Sequence, residues 1–393
     1  MKGKIWKLFG LVLIMIFMFS TAASVHAASP YLITAIPTGI DPVGVVYDPV
    51  KSEVFISSNI GGDIRVISDS TNQQVADITA LTQYAGAPYN LAYDSGKGEI
   101  WVADSTGAYA ISDATNQVIA NVTTNAPSSW GTLTQVAYDP NKGEVFISYS
   151  DFTGFSTPYI QVISDSTNTV IANITQAVTS IVDDSAKSEI FASQYLDSSG
   201  LSSGAVYVIS TNTNAITATI ALSGTPGVEA YDSGKGEIFV ASSAWNSTAG
   251  VYVPVVQVIS DSTNKVVTTI DLPSYNAVGP MAYNPNKGEI YINYGTMVAI
   301  ISDSTNSVVG TVNTNGTVVA GGGSIAYDSG TGTIYAINYA GSTETGAPGS
   351  VAVISDSTVP EFSSLAPILM LIFATPAIAV AARKLPRRRI QPA

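Results

Sequence analysis

The hexapeptide Ile-Ser-Asp-Ser-Thr-Asn occupies residues 67–72, and the same six residues return at 163–168, 259–264 and 301–306. Close variants stand at 111–116, 209–214 and 354–359. A second marker alternates with it: Tyr-Asp, a turn and usually Gly-Glu. Its first residues are Tyr47, Tyr93, Tyr138, Asp183, Tyr231, Tyr283 and Tyr327. Seven copies of each marker, spaced about 45–50 residues apart, indicate a repeat architecture.

Each unit is predicted to form four short strands, and the second unit shows the pattern. Apolar, β-branched and aromatic side chains, which favour strands, concentrate in four of its segments: 91–93, 99–103, 108–112 and 117–122. No amphipathic helix of normal length is indicated between the two chain ends. Seven such units arranged radially form a seven-bladed β-propeller of four-stranded blades. We predict this all-β fold for residues 28–358.

The recurring hexapeptide is interpreted as a turn. Its Asp, Ser, Thr and Asn side chains can bond the backbone two residues further on. All seven copies are therefore expected to be structural, without a catalytic role.

The sequence also predicts how the ring closes. The seventh unit runs into Val359-Pro360 directly after its third strand, so its outer strand is missing. Residues 31–37, before the first unit, have the character of an outer strand. We expect this N-terminal strand to complete the last blade, which would remove an exposed sheet edge.

These repeats resemble the YVTN-type propeller repeats of archaeal and bacterial surface-layer and related secreted proteins. The resemblance covers nearly all of residues 31–358, with a degenerate naming motif such as Phe55-Ile56-Ser57-Ser58 or Tyr291-Ile292-Asn293-Tyr294. It implies a scaffold at the cell surface and no single activity, because a fold does not determine chemistry.

Residues 1–27 have the pattern of a secretory signal peptide, with three Lys, an apolar run over 8–19 and a small-residue cleavage pattern at 25–27. An uncleaved anchor is the alternative. Cleavage after Ala27 would remove His26, the only histidine, and the chain has no Cys. Ser-His-Asp and Cys-His catalysis, disulfides and His- or Cys-ligated metals would then be excluded.

Residues 359–393 are predicted to sort or anchor the protein. The apolar stretch 365–382 can span a bilayer as a transmembrane helix, and the basic tail 383–393 favours a cytoplasmic end, with the main domain outside. With Pro360-Glu361-Phe362, this layout resembles the PEF-type C-terminal sorting signals of archaea, which sortase-like membrane enzymes are thought to process. The alternative is a plain C-terminal anchor. Both place the protein at the cell surface.

Charge limits the expected partners. Eight of the 16 basic residues and 28 of the 29 acids fall within 28–358, which gives that region a net charge of −20. Nucleic acid and anionic lipid are poor partners for such a surface. We expect other surface proteins, glycans or a second copy of the chain as partners, and contact with the membrane through the C-terminal helix.

The long loops between second and third strands mark the predicted binding face, because they vary most among the units. Exposed aromatic side chains there, or in the connections between blades, can stack on sugars or anchor protein partners. The ligand-binding candidates of this kind are Tyr149, Phe152, Phe155, Trp130 and Trp245. Packing of several of them into blade interfaces is the alternative.

Two acids break the pattern of the inner strands. Two positions before the Tyr of the second marker, six units have an apolar residue and the fifth has Glu229; in the fourth unit Asp183 replaces the Tyr itself. A buried carboxylate needs a partner, a cation or a proton. Glu229 and Asp183 are candidates for binding Ca²⁺ or for acid–base chemistry near the channel. Solvation by channel water, or hydrogen bonds from nearby hydroxyls, is the alternative, and no other cofactor is predicted.

Four Asn-x-Ser/Thr sequons are candidate glycan acceptors in an exported protein: Asn121, Asn173, Asn246 and Asn315. Asn121 and Asn173 end outer strands, where a glycan would find room. Because Thr and Asn are abundant throughout the chain, chance matches are the alternative.

Two functional hypotheses follow. The first is an exported, non-enzymatic cell-surface propeller that acts as an envelope, adhesion or ligand-binding scaffold, or that packs laterally with its own copies. The second is a secreted propeller enzyme of the lactonase, lyase or dehydrogenase kind, using the inner-strand acids and Ca²⁺. The lack of Cys and of a mature His favours the first.

Overall fold

The computed structural model describes residues 30–79, 88–104, 107–124, 133–150, 159–194, 204–248, 250–272, 278–314, 324–338 and 348–356. Within them the chain forms seven antiparallel sheets of four strands each. The inner strand of each sheet packs against the inner strand of the next, and the last packs against the first, which closes the ring. The predicted all-β, seven-bladed propeller is confirmed.

The strands of the first three blades have the following bounds. Blade one contains β2 (Pro42–Asp48), β3 (Glu53–Ser58), β4 (Asp63–Ser68) and β5 (Gln73–Ile78). Blade two contains β6 (Pro88–Asp94), β7 (Glu99–Asp104), β8 (Gly107–Ser112) and β9 (Gln117–Thr123). Blade three contains β10 (Leu133–Asp139), β11 (Glu144–Ser150), β12 (Tyr159–Ser164) and β13 (Thr169–Ile174).

The other four blades follow the same order. Blade four contains β14 (Ser180–Asp184), β15 (Glu189–Gln194), β16 (Ala205–Ser210) and β17 (Ala215–Ala221). Blade five contains β18 (Thr225–Asp232), β19 (Glu237–Asn246), β20 (Val251–Ser260) and β21 (Lys265–Asp271). Blade six contains β22 (Val278–Asn284), β23 (Glu289–Tyr294), β24 (Met297–Ser302) and β25 (Ser307–Asn313). Blade seven contains β26 (Ile325–Asp328), β27 (Thr333–Asn338), β28 (Pro348–Ser355) and the N-terminal β1 (Tyr31–Ile40).

The hydrophobic core lies between the blades. The described residues form seven apolar clusters, and each joins two neighbouring blades. Between blades two and three, for example, Trp101 of β7 packs in one cluster with Val145 and Ile147 of β11. Successive strand residues point to opposite faces, so the apolar middle strands bury both faces, one in each junction.

The repeated turns explain the two sequence markers. In the six hexapeptides that the structure describes in full, the final Asn has a left-handed backbone, with φ between 48° and 54°. Asn tolerates this conformation better than other non-glycine residues. The turn between the first and second strands needs a positive φ at its fifth residue, which is Gly98 in blade two and Ser52 in blade one. The prediction that these hexapeptides form turns is confirmed.

Most junctions have at this turn end a contact that we call the Tyr–Asp clasp. Between blades two and three, Oδ1 of Asp94 accepts the amides of Gly96 and Lys97 at 2.8 and 3.0 Å, which fixes its own turn. Tyr138 of the next blade donates to Oδ2 of Asp165, the hexapeptide Asp, at 3.3 Å, and its hydroxyl also lies within the electrostatic influence of Asp94. Burial, then Asp94, raises the pKa of Tyr138, so its hydroxyl remains a donor.

A lysine completes the clasp. Lys97 of blade two donates to the main-chain carbonyl of Asp165 in blade three, and its Nζ lies 3.6 Å from Oδ1 of the same residue. A tyrosine occupies the position of Tyr138 at six of the seven junctions. The hydroxyls of Tyr47, Tyr138 and Tyr327 donate to the hexapeptide Asp of their own blade. Tyr93, Tyr231 and Tyr283 lie at the equivalent positions beside the turn Asp of the preceding blade. At the junction of blades six and seven, Asn284 replaces the turn Asp and donates to Asp356 at 2.8 Å.

The ring closes as the sequence predicts. Strand β1 pairs antiparallel with β28, from Tyr31 opposite Ser355 to Ile40 opposite Pro348. It supplies the outer strand of blade seven and extends three residues beyond the predicted segment 31–37. Ile36 packs in the apolar cluster that joins blades seven and one.

The predicted signal peptide 1–27 and the segment 359–393, with its sorting motif and transmembrane helix 365–382, lie outside the described residues. In the part of the chain that is described, no helix has the length and apolar character to cross a membrane.

Strand β1 offers a matched pair of substitutions that tests the closure. Ile36 is 9% exposed and Ile33, on the same strand, is 46% exposed. We expect Ile36→Ala to lower the free energy of unfolding by about 2–4 kcal/mol and Ile33→Ala by no more than about 0.5 kcal/mol. Denaturant unfolding followed by circular dichroism measures both. Equal effects of the two substitutions would show that β1 does not close the last blade.

Candidate functional site

Blade five carries a β-hairpin that projects from the face opposite the clasps. Strands β19 and β20 each have ten residues, whereas β23 and β24 of blade six have six. Pairing of β19 with β20 continues to Asn246 opposite Val251. The inner strand β18 pairs only as far as Ser243, and the outer strand β21 only as far as Val255. Residues 244–253, which we call the blade-five hairpin, therefore extend beyond the four-stranded sheet.

An exposed aromatic pair lies on this hairpin. Trp245 and Tyr252 are cross-strand partners, and their ring centroids lie 5.1 Å apart in an edge-to-face arrangement. Trp245 is 56% exposed and Tyr252 49% exposed, with the exposed Val251 beside them. The turn is ordered by the amide of Gly250, which donates to the carbonyl of Asn246 at 2.8 Å. The hairpin thus presents a preset apolar surface of the kind that contacts ligands.

Of the other aromatic binding candidates, the structure describes only Tyr149. Tyr149 is fully buried, so its prediction as an exposed binding residue is wrong. Strand β11 continues to Ser150, which places Tyr149 in the junction of blades two and three. There its hydroxyl donates to Oγ1 of Thr124 at 2.8 Å. Phe152, Phe155 and Trp130 lie outside the described residues.

Glu229 lies in the junction between blades four and five. It is 8% exposed and accepts a hydrogen bond from the hydroxyl of Ser193 on β15. Burial raises the pKa of this carboxyl well above its ordinary value, opposed by hydrogen bonds from Ser193 and Ser180. Its Oε2 atom has no hydrogen-bond partner among the described residues. Glu229 is therefore a carboxyl that favours its neutral form.

Asp183 lies in a different junction. It stands where the other blades have the clasp tyrosine, and it faces the turn carboxylate of blade three, Asp139. Burial, then the charges of Asp139 and Asp184, raises the pKa of Asp183 to about 8. Ser180, which reaches Glu229, is three residues from Asp183 on β14, so the two side chains leave opposite faces of that strand. The structure does not bring Asp183 and Glu229 together as one acid pair.

Two residues near Asp183 were missed by sequence reasoning. In the sequence, Asp139 looks like any other turn residue of the Tyr-Asp marker, and Thr211 belongs to one of the hexapeptide variants. Both are buried. The signal that could have found them is the coincidence of two substitutions: the unit with Asp in place of Tyr also has Thr in place of the hexapeptide Asp. Among the described residues no group of three or more His, Cys, Asp or Glu is arranged to hold a metal ion.

Three of the four sequons are described. Asn121, Asn173 and Asn246 are exposed, and Asn315 lies outside the described residues. The Oδ1 atom of Asn173 accepts from Nε2 of Gln161 at 2.9 Å, and that of Asn246 accepts from the amide of Thr248 at 3.0 Å. Asn246 directly follows Trp245, so a glycan there would border the aromatic pair.

Comparison with known proteins supports the fold. No protein-family model matches the chain, and no curated protein matches it. Among solved structures, the chain is similar to Kuenenia stuttgartiensis hydrazine synthase, with a TM-score of 0.65 and 15% sequence identity, over 86% of this chain and 99% of that chain. At this identity the likeness shows the propeller fold alone.

The buried carboxyl of Glu229 predicts a pH-dependent stability. Its pKa is raised in the folded protein, whereas the unfolded chain ionises near the ordinary value of 4.5. Wild-type stability should therefore be complete below that pH and fall as the pH rises above it. Glu229→Gln removes this loss, so its stability relative to wild type should increase with pH, by up to about 1.4 kcal/mol per pH unit.

Denaturant unfolding of the wild type and of Glu229→Gln between pH 5 and 8 measures this difference. Glu237→Gln is the control, because that half-buried carboxyl on β19 should show a much weaker trend. A stability difference for Glu229→Gln that does not change with pH would mean that Glu229 is ionised in the folded protein.

Proposed function

We propose that the protein is a non-catalytic, partner-binding scaffold on the outer surface of the cell, and that its partner docks on the face that carries the blade-five hairpin. The observation behind this proposal is the exposed pair of Trp245 and Tyr252, held edge to face on a projecting hairpin. Trp and Tyr are the side chains that most often carry binding energy at protein interfaces.

The contrast between the two faces supports the proposal. On the turn face the clasps use the same residue types at nearly every junction, so that face is committed to holding the ring. On the opposite face blade five adds residues that belong to no junction cluster. Insertions on one face of a repeat protein often form its binding surface. The charge of −20 on residues 28–358 favours a partner with basic groups.

Placement outside the cell is part of the proposal. It is supported by the signal-peptide pattern, by the apolar stretch and basic tail with Pro360-Glu361-Phe362, and by the resemblance of the repeats to YVTN-type surface-layer propellers. The exposed sequons Asn121, Asn173 and Asn246 would then be accessible to glycosylation. Other surface proteins, glycans or further copies of the chain are the partners that this location offers.

An enzyme is the second candidate, since propellers also occur in enzymes such as hydrazine synthase. Its chemistry would have to use the two acids separately. Asp183 and Glu229 face different junctions, and Glu229 is enclosed with two serines. We favour the binding scaffold because Trp245 and Tyr252, on which it depends, are exposed to a partner, whereas the two acids lie within blade junctions.

The intact mass of the protein isolated from its own cells tests the export. We expect loss of residues 1–27, together with either a retained C-terminus or a cut near 360–362, and added mass from any glycan. Treatment with a glycosidase separates glycan mass from peptide mass. An uncleaved N-terminus in protein that a membrane-impermeant label fails to reach would contradict export.

Binding to isolated cell envelopes tests the docking face. Trp245→Ala removes a hot-spot side chain and should weaken binding by at least about tenfold, the effect of 1.4 kcal/mol. Val50→Ala is the control, because Val50 is 72% exposed but lies in a turn on the opposite face. Protease or periodate treatment of the envelopes distinguishes a protein partner from a glycan. Equal binding by wild type and Trp245→Ala would refute the assignment.

A further inference from the structure

The junction between blades three and four departs from the Tyr–Asp clasp at two positions at once. Asp183 stands where six blades have Tyr, and Thr211 stands where the other hexapeptides have Asp. The turn Asp of the preceding blade, Asp139, is kept, with Oδ1 accepting the amide of Asn141 at 2.8 Å. The tyrosine ring and its hydroxyl donor are thus replaced by a second carboxylate.

Three oxygen atoms at this junction lack a donor. In the described part of the chain, Oδ2 of Asp139, Oδ1 of Asp183 and Oγ1 of Thr211 have no hydrogen-bond partner. That of the turn Asp has counterparts at other junctions, such as Oδ2 of Asp94, whereas those of Asp183 and Thr211 belong to this junction alone. Asp139 and Thr211 are almost completely buried. In the regular clasps, the inner-strand residue lies against both equivalent positions. Tyr47, for example, donates to the hexapeptide Asp69 at 3.1 Å, and its hydroxyl is under the electrostatic influence of Asp328 of the preceding blade. The three oxygens therefore belong to one place in the fold.

Two buried carboxylates that face each other repel unless something positive lies between them. At four other junctions the turn lysine contacts the hexapeptide Asp of the next blade. The turn lysine of this junction, Lys142, has no such Asp opposite it, because Thr211 stands there. At Asp183, the charges that act most strongly are those of Asp139 and Asp184, both negative, and no basic residue is among the main influences. The negative charge of Asp139 and Asp183 is therefore balanced either by a cation or by a proton that the two carboxyls share.

We propose that this junction binds one divalent cation, held by Asp139 and Asp183 with the hydroxyl of Thr211 and water completing its shell. The donor set is made only of oxygen, which Ca²⁺ and Mg²⁺ prefer, and two carboxylates balance the charge of a divalent ion. Asp183 is shorter than Tyr by an aromatic ring, which leaves the distance between the carboxylates to be bridged by the ion. The cation replaces the tyrosine hydroxyl as the link between blades three and four.

The test uses the full-length protein after treatment with a chelator. Ca²⁺ and Mg²⁺ are titrated separately by isothermal calorimetry, and the unfolding midpoint is measured at each concentration. We expect the wild type to bind one ion of either metal at this site, with its Tm rising as the concentration exceeds Kd. Asp183→Asn should weaken this binding at least tenfold.

The double variant Asp183→Tyr with Thr211→Asp is the matched control, because it restores the tyrosine and the hexapeptide Asp found at the other six junctions. It should fold without a divalent cation, lose one bound ion per chain and show no cation-dependent Tm shift from this site. Ions held loosely by the acidic surface will appear equally in both proteins.

Three results would overturn the proposal. One is equal stoichiometry and an equal Tm shift in the wild type and the double variant. Another is a wild type that does not respond to either metal up to about 10 mM, well above the Kd of weak extracellular sites. The third is a wild-type midpoint that changes with pH but not with cation, which would identify a shared proton instead.

Discussion

At five of the seven junctions a tyrosine side chain of one blade lies between two carboxylates, the turn Asp of the preceding blade and the hexapeptide Asp of its own blade. One of these carboxylates, such as Asp94, uses its other oxygen to fix its own turn through the amides of Gly96 and Lys97. The geometry of the turn and the position of the next blade are therefore set by one side chain. A buried carboxylate is costly without such partners, which makes the turn, the tyrosine and the hexapeptide Asp depend on one another.

The apolar clusters act on a different part of each junction. They fill the contact between middle strands, and burial of apolar surface is strong but not directional. The hydrogen bonds of the clasp are directional. The apolar clusters hold neighbouring blades together, and the hydrogen bonds fix how one blade is aligned with the next. Repeated around the ring, these contacts return the chain to its start. Strand β1 then needs only to pair with β28 to complete the circle.

Sequence reasoning could reach the blade count, the turns and the closure, because all three depend on short patterns that repeat along the chain. It could not reach the clasp, since the Tyr and the turn Asp that meet in one junction come from different units. Asp183 was recognised from its own substitution, but its partner Asp139 looks like any other turn residue. The prediction that Tyr149 is an exposed binding residue was wrong for another reason. Strand β11 runs to Ser150, slightly further than its pattern suggested, so the aromatic ring of Tyr149 lies in the core and not in a loop.

The blade-five hairpin lies at the end of the blade opposite the clasps, so the contacts that hold the ring together do not constrain it. Its residues 244–253 lie beyond the reach of both β18 and β21, so no clasp and no junction cluster depends on them. Blade six makes the same connection with only residues 295 and 296 between β23 and β24, which shows that the fold does not require a projection there. A two-stranded hairpin alone is marginally stable in water. Trp245 and Tyr252 remain about half exposed, so the apolar surface that they leave in solvent does not stabilise the hairpin. The fold gains nothing from this arrangement, and this is the physical basis for proposing that the exposed pair contacts a partner.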